Sequence, residues 1–195
     1  MALMYTPEVD LNSEAPDFQR LSSATELSSQ GHFVSLSDFS NKPALLVIFM
    51  CNHCPYVIAV QDRINALARE FMPKGLAVVG ISSNDPAYRE EDSFENMKIR
   101  ARELDYVFPY LFDETQNIAR AYGAVCTPDP FLFQNENGKF LLKYRGRIDD
   151  SWKDPAMVTR SDLRDAIQAV LDGKSVATNQ MPSMGCSIKW KNRMS

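Results

Sequence analysis

Two cysteines stand two residues apart in Phe49-Met50-Cys51-Asn52-His53-Cys54-Pro55-Tyr56-Val57, with a histidine between them and a proline directly after. That spacing suits three different uses: a dithiol that opens and closes as a disulfide, half of a metal site, or two small residues that merely pack. Redox chemistry needs a thiolate. Cys51 falls between an apolar run and a helix predicted to begin near Cys54-Pro55, where unpaired amides and the helix dipole favour negative sulfur. A charged His53 would add to that field. The spacing also lets the second thiol reach the first, which gives the sulfurs unequal expected roles. Cys51 is expected to attack, as the more exposed and more acidic thiol. Cys54 is expected to be shielded and to resolve, expelling a bound substrate from Cys51. A zinc site needs more ligands. Cys126 and Cys186 would complete a four-sulfur set, but neither belongs to a second Cys-x-x-Cys. A c-type haem would need histidine after the second cysteine, where Pro55 stands.

The elements that must position this pair are legible on either side of it. Ala44 to Phe49 is a continuous apolar run, as expected of a strand buried on both faces. Pro55 suits a first helical turn, and Val57, Val60, Ile64, Leu67, Ala68 and Phe71 then recur at three- and four-residue spacing. Pro73-Lys74-Gly75 ends that helix, and Leu76 to Ile81 reads as a second buried strand. A helix is predicted from Asp85-Pro86 through about Leu104, then a short strand over Phe108–Phe112 and a short helix from Thr115 to Tyr122, stopped by Gly123. A hairpin follows: Phe131 to Gln134, a turn at Asn135-Glu136-Asn137-Gly138, and Lys139 to Ile148. Thr159 and Ser161 are candidate caps for a last helix ending at Gly173. Earlier, Leu36-Ser37-Asp38-Phe39 reads as one helical turn, and Met1 to Asp17 as an extended surface segment. Strands alternating with helices predict an α/β sheet covered on both faces.

With 195 residues, the chain suits one domain spanning 1–195. At 45% hydrophobic, 24% charged and net charge −4, it lacks the basic face of a nucleic-acid or anionic-membrane binder. No apolar run approaches transmembrane length, and the first residues carry acids where a secretory signal would carry a basic flank. A cytoplasmic protein is expected, and four cysteines there suit catalysis or metal binding better than a disulfide framework.

Five stretches together are similar to the thioredoxin-like superfamily, and more closely to its redoxin branch of AhpC/TSA-type antioxidant proteins and bacterial thiol–disulfide interchange proteins. They are EAPDF at 14–18, LSDF at 36–39, LLVIFMCNHCPYV at 45–57, YGAVCTPDPFLF at 122–133 and NGKFLLKYRGRID at 137–149. The resemblance spans about 14–173 and leaves 174–195 as a C-terminal tail. It implies a thioredoxin-like α/β fold: a central mixed sheet flanked by helices on both faces, with an N-terminal extension and a helix–strand insertion. It also implies a cis-Pro128 facing the cysteine pair, with Thr127 offering backbone groups to an extended substrate. Histidine before the second cysteine resembles the protein disulfide isomerases, where charge stabilises the thiolate and makes the pair more oxidising.

The implied activity is dithiol–disulfide exchange with protein substrates, re-reduced or re-oxidised by a thiol partner. The Cys51–Cys54 disulfide is the redox group, with no cofactor, metal, nucleic acid or membrane. Three departures bear on this. Met50 stands where thioredoxin has tryptophan, and Leu45 where it has a proton-accepting aspartate. Ile48 lacks the hydroxyl that peroxidases carry three residues before their reactive cysteine. A thiol-dependent peroxidase is the first alternative, and a non-catalytic or zinc-binding thioredoxin fold the second. Cys126 and Cys186 are candidate accessory thiols: either inert, as most cysteines outside an activated site are, or relays of oxidation. Two further motifs carry no function. Asp172-Gly173-Lys174-Ser175 lacks the earlier glycine of a phosphate loop, since Gln168 stands there. His32, beside Gly31, reads as a solvated turn residue.

Overall fold

The computed structural model describes residues 2–25 and 33–191; His32 lies outside the described residues. In chain order the elements are β1 (Leu3–Tyr5), β2 (Leu21–Ser23), β3 (Phe33–Val34), β4 (Ala44–Phe49), α1 (Pro55–Phe71), β5 (Leu76–Ser82), α2 (Phe94–Glu103) and β6 (Tyr110–Phe112). Then come α3 (Asn117–Tyr122), β7 (Cys126–Thr127), β8 (Asp129–Glu136), β9 (Lys139–Arg145), α4 (Asp162–Leu171) and β10 (Met184–Ser187).

The main sheet has the order β3-β2-β6-β5-β4-β8-β9. β5 runs parallel to β4 and β6, while β8 runs antiparallel to β4 and β9. The sheet is mixed, as the resemblance implies. All six residues of β4 are buried, and they divide by parity because side chains alternate across a strand. Leu46 and Ile48 join the core under α1, α2 and α4, with Val60, Ile64, Met97 and Ile167. Leu45, Val47 and Phe49 join the opposite core, with Phe18, Ala119, Tyr122 and Phe133. Leu45 is thus a packing residue. Full burial of such side chains is worth roughly 1.5–3 kcal/mol each, so β4 is fixed from both sides and its C-terminal end delivers Cys51 to one place.

The expected boundaries of β4 and α1 agree with the structure, and every apolar residue named for α1 is buried. The second helix does not. It starts at Phe94, with Ser93 accepting the Asn96 N–H as its cap. Before it the chain turns at Asp85, whose carboxylate accepts the Ala87 N–H, and makes a 3-10 turn over Glu90–Asp92. Asx turns offer the backbone an alternative to helix. The hairpin is tighter than expected: β8 runs on to Glu136, and Asn137 and Gly138, with φ of 56° and 89°, make a two-residue turn.

The larger difference lies at the termini. A second sheet of order β1-β10-β7 joins the two ends of the chain to the segment before Pro128. Residues expected to form a surface extension and a tail therefore build a wall beside the cysteine pair. Ile188 is buried, and Trp190 packs on the second core with the Arg120 guanidinium 4.5 Å over its ring.

Candidate active site

The loop Met50–Cys54 leaves β4 and enters α1, with Cys54 as the residue before the first helical turn and Pro55 inside it. Asp92 fixes this loop. Its Oδ1 accepts the N–H groups of Asn52 (2.8 Å) and His53 (3.2 Å), while Oδ2 accepts from Asn84 Nδ2 (2.8 Å) and meets His53 Nδ1 at 2.5 Å. Asn52 adds a second tie: its amide donates to Glu91 O at 2.7 Å and accepts from Tyr110 OH at 3.1 Å. Asp92 is fully buried, and the His53 side chain is 5% exposed with a buried, unpartnered Nε2. Burial opposes ionisation of Asp92, but the hydrogen bonds from His53 and Asn84 outweigh it and hold the carboxyl below its ordinary value.

Across from this loop stands Thr127, joined to Pro128 by a cis peptide bond. Its hydroxyl lies 3.3 Å from Cys51 Sγ, and its carbonyl accepts from the Cys54 thiol at 3.2 Å. His53 Nδ1 is 3.9 Å from Cys51 Sγ. Residue Asp129, fully buried, is held by Arg145 through Nε (3.1 Å) and Nη2 (2.8 Å). A cavity of about 250 Å³ opens beside Pro128, lined by Tyr56, Trp152, Met181 and Met184 among others.

The structure corrects the expected contrast between the sulfurs. Cys51 is not the exposed thiol: it is 1% accessible and Cys54 0%. Nor is it the acidic one. Burial pushes Cys51 well above its ordinary value of 9.0, reinforced by its hydrogen bond with Cys54 and by the charge of Asp92. Cys54 is lowered to about 5, first by the hydrogen bond from Cys51, then by contacts with Cys186, Thr127 and the Val57 N–H, which together overcome burial. The reason is position. Cys54, not Cys51, caps α1, and Asp92 stands on the Cys51 side. The two titrations belong to the pair: one proton leaves easily, and the second is held tightly.

The accessory cysteines separate as well. Cys186, on β10, lies opposite Thr127 in the strand register, and burial, then its interaction with Cys54, pushes its thiol up to about 12. Cys126 points its thiol at Pro128 O, 3.9 Å away, and burial pushes it up. The edge of Thr127 expected to receive a substrate strand is taken by β10. Among the described residues all four cysteines are thiols. The four-sulfur zinc set is not assembled: the one group of metal-ligand atoms within 4.8 Å of one another among the described residues is Cys51, His53 and Asp92. There the Asp92 carboxylate is already committed to four N–H donors.

Asp92 was not singled out by sequence reasoning. It sits in Arg89-Glu90-Glu91-Asp92, a short charge run, and its partners in the loop are 39 and 40 residues away. Only the fold brings them together.

A sheet entered by two thiols at a helix start, facing a cis-proline loop, defines a thioredoxin-like fold. The AhpC/TSA family model matches residues 11–150. The chain belongs to that family of thioredoxin-fold redox proteins. Among solved structures it is similar to an uncharacterized conserved protein from Geobacillus kaustophilus, at 43% identity and TM-score 0.89 over 98% of each chain. A hypothetical protein from Sinorhizobium meliloti 1021 follows at 40% identity and TM-score 0.87, covering 96% of this chain and 98% of that one. A thiol:disulfide interchange protein from Chlorobium tepidum TLS shares the fold at 16% identity and TM-score 0.59, covering 85% and 99%. No curated protein matches the chain. No helix among the described residues is long and apolar enough to cross a membrane.

Proposed function

We propose that the protein is a thiol–disulfide oxidoreductase acting on protein disulfides through Cys51 and Cys54. The observation that supports this reading is the paired sulfurs themselves, one held at about 5 by hydrogen bonds that include the thiol of the other. A dithiol carrying one negative charge and one mobile proton is the reactant that exchange requires. Cys51 passes its proton to the Cys54 thiolate and attacks a substrate sulfur, breaking the substrate disulfide and releasing one substrate thiolate. That thiolate takes the proton from Cys54, which then attacks the Cys51 sulfur, expels the second substrate thiolate and leaves a Cys51–Cys54 disulfide. A thiol donor of the cytoplasm returns the pair to the dithiol. Cys54 suits the resolving role because the Val57 N–H and two thiols surround it, whereas Cys51 lies on the loop beside His53 and the Thr127 hydroxyl. The apolar cavity beside Pro128 suits a side chain of the bound substrate.

Insulin reduction in the presence of dithiothreitol tests the assignment. Cys51→Ser should abolish activity, and Cys54→Ser should accumulate mixed disulfides with its substrate. Full activity in Cys51→Ser would sink the proposal. Turnover of hydroperoxide with a thiol donor, and none of insulin, would transfer the pair to the peroxidase reading.

A further inference from the structure

Cys51, Cys54 and Cys186 lie in one buried cluster. Cys54 reaches the Thr127 carbonyl, and Thr127 faces Cys186 of β10 across the strand pair, so the Cys54 thiol feels both other thiols. The strand sets the place of Cys186. Ser183 Oγ donates to Pro128 O at 2.8 Å, and Ser183 exchanges hydrogen bonds with Thr6. Cys186 then pairs with Thr127 and Ser187 with Cys126, and Ile188 N donates to Val125 O at 3.1 Å. Gly185 makes the approach possible: a Cβ there would fall 2.0 Å from the Thr127 carbonyl oxygen. No side chain fits at this point. Cys126 lies on the neighbouring strand but sends its thiol to Pro128 O instead.

We propose that Cys186 is a third redox thiol of this site, exchanging with the Cys51–Cys54 disulfide to form a Cys54–Cys186 disulfide. This rests on the reading of Cys51 and Cys54 as an exchanging pair, whose oxidising equivalents come from a disulfide-bearing substrate. The Cys186 sulfur, once deprotonated, attacks Cys54 Sγ. The Cys51–Cys54 bond breaks, its electron pair leaves on Cys51, and the proton lost by Cys186 ends on Cys51. No electrons are gained or lost overall. Exchange brings a third thiol onto one sulfur of the disulfide, and Cys54 is the sulfur that faces Cys186 through Thr127. The product stores the disulfide away from Cys51, which is left as a free thiol beside His53 and Thr127.

Mapping disulfides in protein poised with glutathione mixtures, acid-quenched and alkylated, decides the matter. Cys51 and Cys54 share one tryptic peptide, so Cys51→Ser gives the clean assignment. The expected product is a Cys54–Cys186 link, with Cys126 alkylated at every glutathione ratio. Should that variant fail to fold, the wild-type map is read instead, where part of the oxidised protein should carry Cys186 in a link. Cys186 fully alkylated at every ratio in whichever folded protein is mapped would overturn the proposal. Gly185→Ala, which cannot keep β10 against Thr127, should lower the yield of the Cys186 link at least tenfold while the Cys51–Cys54 disulfide persists. An unchanged yield would overturn the strand argument. Insulin reduction by wild-type protein reads the first pair separately. Activity with Cys186 always alkylated removes only the third thiol; a Cys54–Cys186 link without activity removes only the proposed function.

Discussion

A second proton held tightly by a pair of sulfurs leaves a signature in the reduction potential. One thiol of the reduced pair is held at about 5, and the other lies well above its ordinary 9.0. Reducing the Cys51–Cys54 disulfide therefore takes up two protons below about pH 5 but only one between about pH 6 and 9. For a two-electron couple a tenfold change in equilibrium constant is about 30 mV. The potential should fall by about 30 mV per pH unit from pH 6 to 9, and by about 59 mV per unit below pH 5.

The same depression stabilises the reduced fold. A thiol lowered in the folded state contributes fully above its unfolded value of 9.0 and loses the contribution as pH falls through about 5. At pH 7 about half remains, on the order of 3 kcal/mol. That is about 60 mV toward a more oxidising couple than an unshifted dithiol would show. The assay is equilibration with glutathione mixtures from pH 4 to 9, the disulfide fraction being read by mass. Thiolate absorbance supplies a second reading: one equivalent at pH 7 in the reduced protein, lost in Cys54→Ser because burial of Cys51 remains. An unbroken slope of about 59 mV per pH unit up to pH 9 would refute the reasoning, since it requires two protonated thiols throughout.

Two other side chains give separate tests. Asp92→Asn removes a charge that helps hold Cys51 up and places a donor where Oδ2 receives Asn84. The pair's second ionisation should then move to lower pH in iodoacetamide kinetics between pH 7 and 10, with a stability loss of about 1–3 kcal/mol; an unchanged kinetic profile would show that this charge does not reach the pair. Arg145→Met strands the fully buried Asp129 carboxylate and should cost about 3–5 kcal/mol in urea unfolding at pH 7. Burial already pushes the Asp129 carboxyl up and Arg145 opposes it, so without the arginine the carboxyl takes a proton more readily and the deficit should shrink toward pH 5. A loss at pH 7 below about 1 kcal/mol would contradict an uncompensated buried charge.

What could be read from the sequence follows the range of the interactions. β4 and α1 announce themselves because an unbroken apolar run and a three-to-four spacing are local consequences of burial. The mixed sheet and the facing of Cys51, Cys54 and Thr127 followed from the resemblance, not from any periodicity. The start of α2 was misplaced because Asp85 serves a turn, not a cap, and Asp92 serves the loop before α1. Asp92, the residue that orients His53, has no local pattern at all. The expected acidity of Cys51 followed from the helix start alone. Helix-start reasoning favours whichever sulfur sits at the cap, and the cap is Cys54; the negative neighbour that disfavours Cys51 was invisible.

The terminal strands were illegible because none is stable alone. β1 and β10 have three and four residues, and β7 has two; such strands exist only in company. Their company is the site itself. β10 has two register pairs with β7 and three with β1, and its Gly185 is the residue that allows close approach to Thr127. The wall over Cys54 is thus made of strands of two to four residues, whereas β4 beneath it is packed from both sides and α1 buries a whole face. Elements with few tertiary bonds open at a small fraction of the global unfolding free energy. A site closed by β10 can therefore hold its thiols dry, shift their ionisation through Cys186 and Thr127, and still expose them without disturbing the helix that stabilises the charge. The burial of both cysteines and the proposed role in exchange with other proteins are compatible for that reason: the doubly packed β4 fixes the sulfurs, and the short terminal strands cover them.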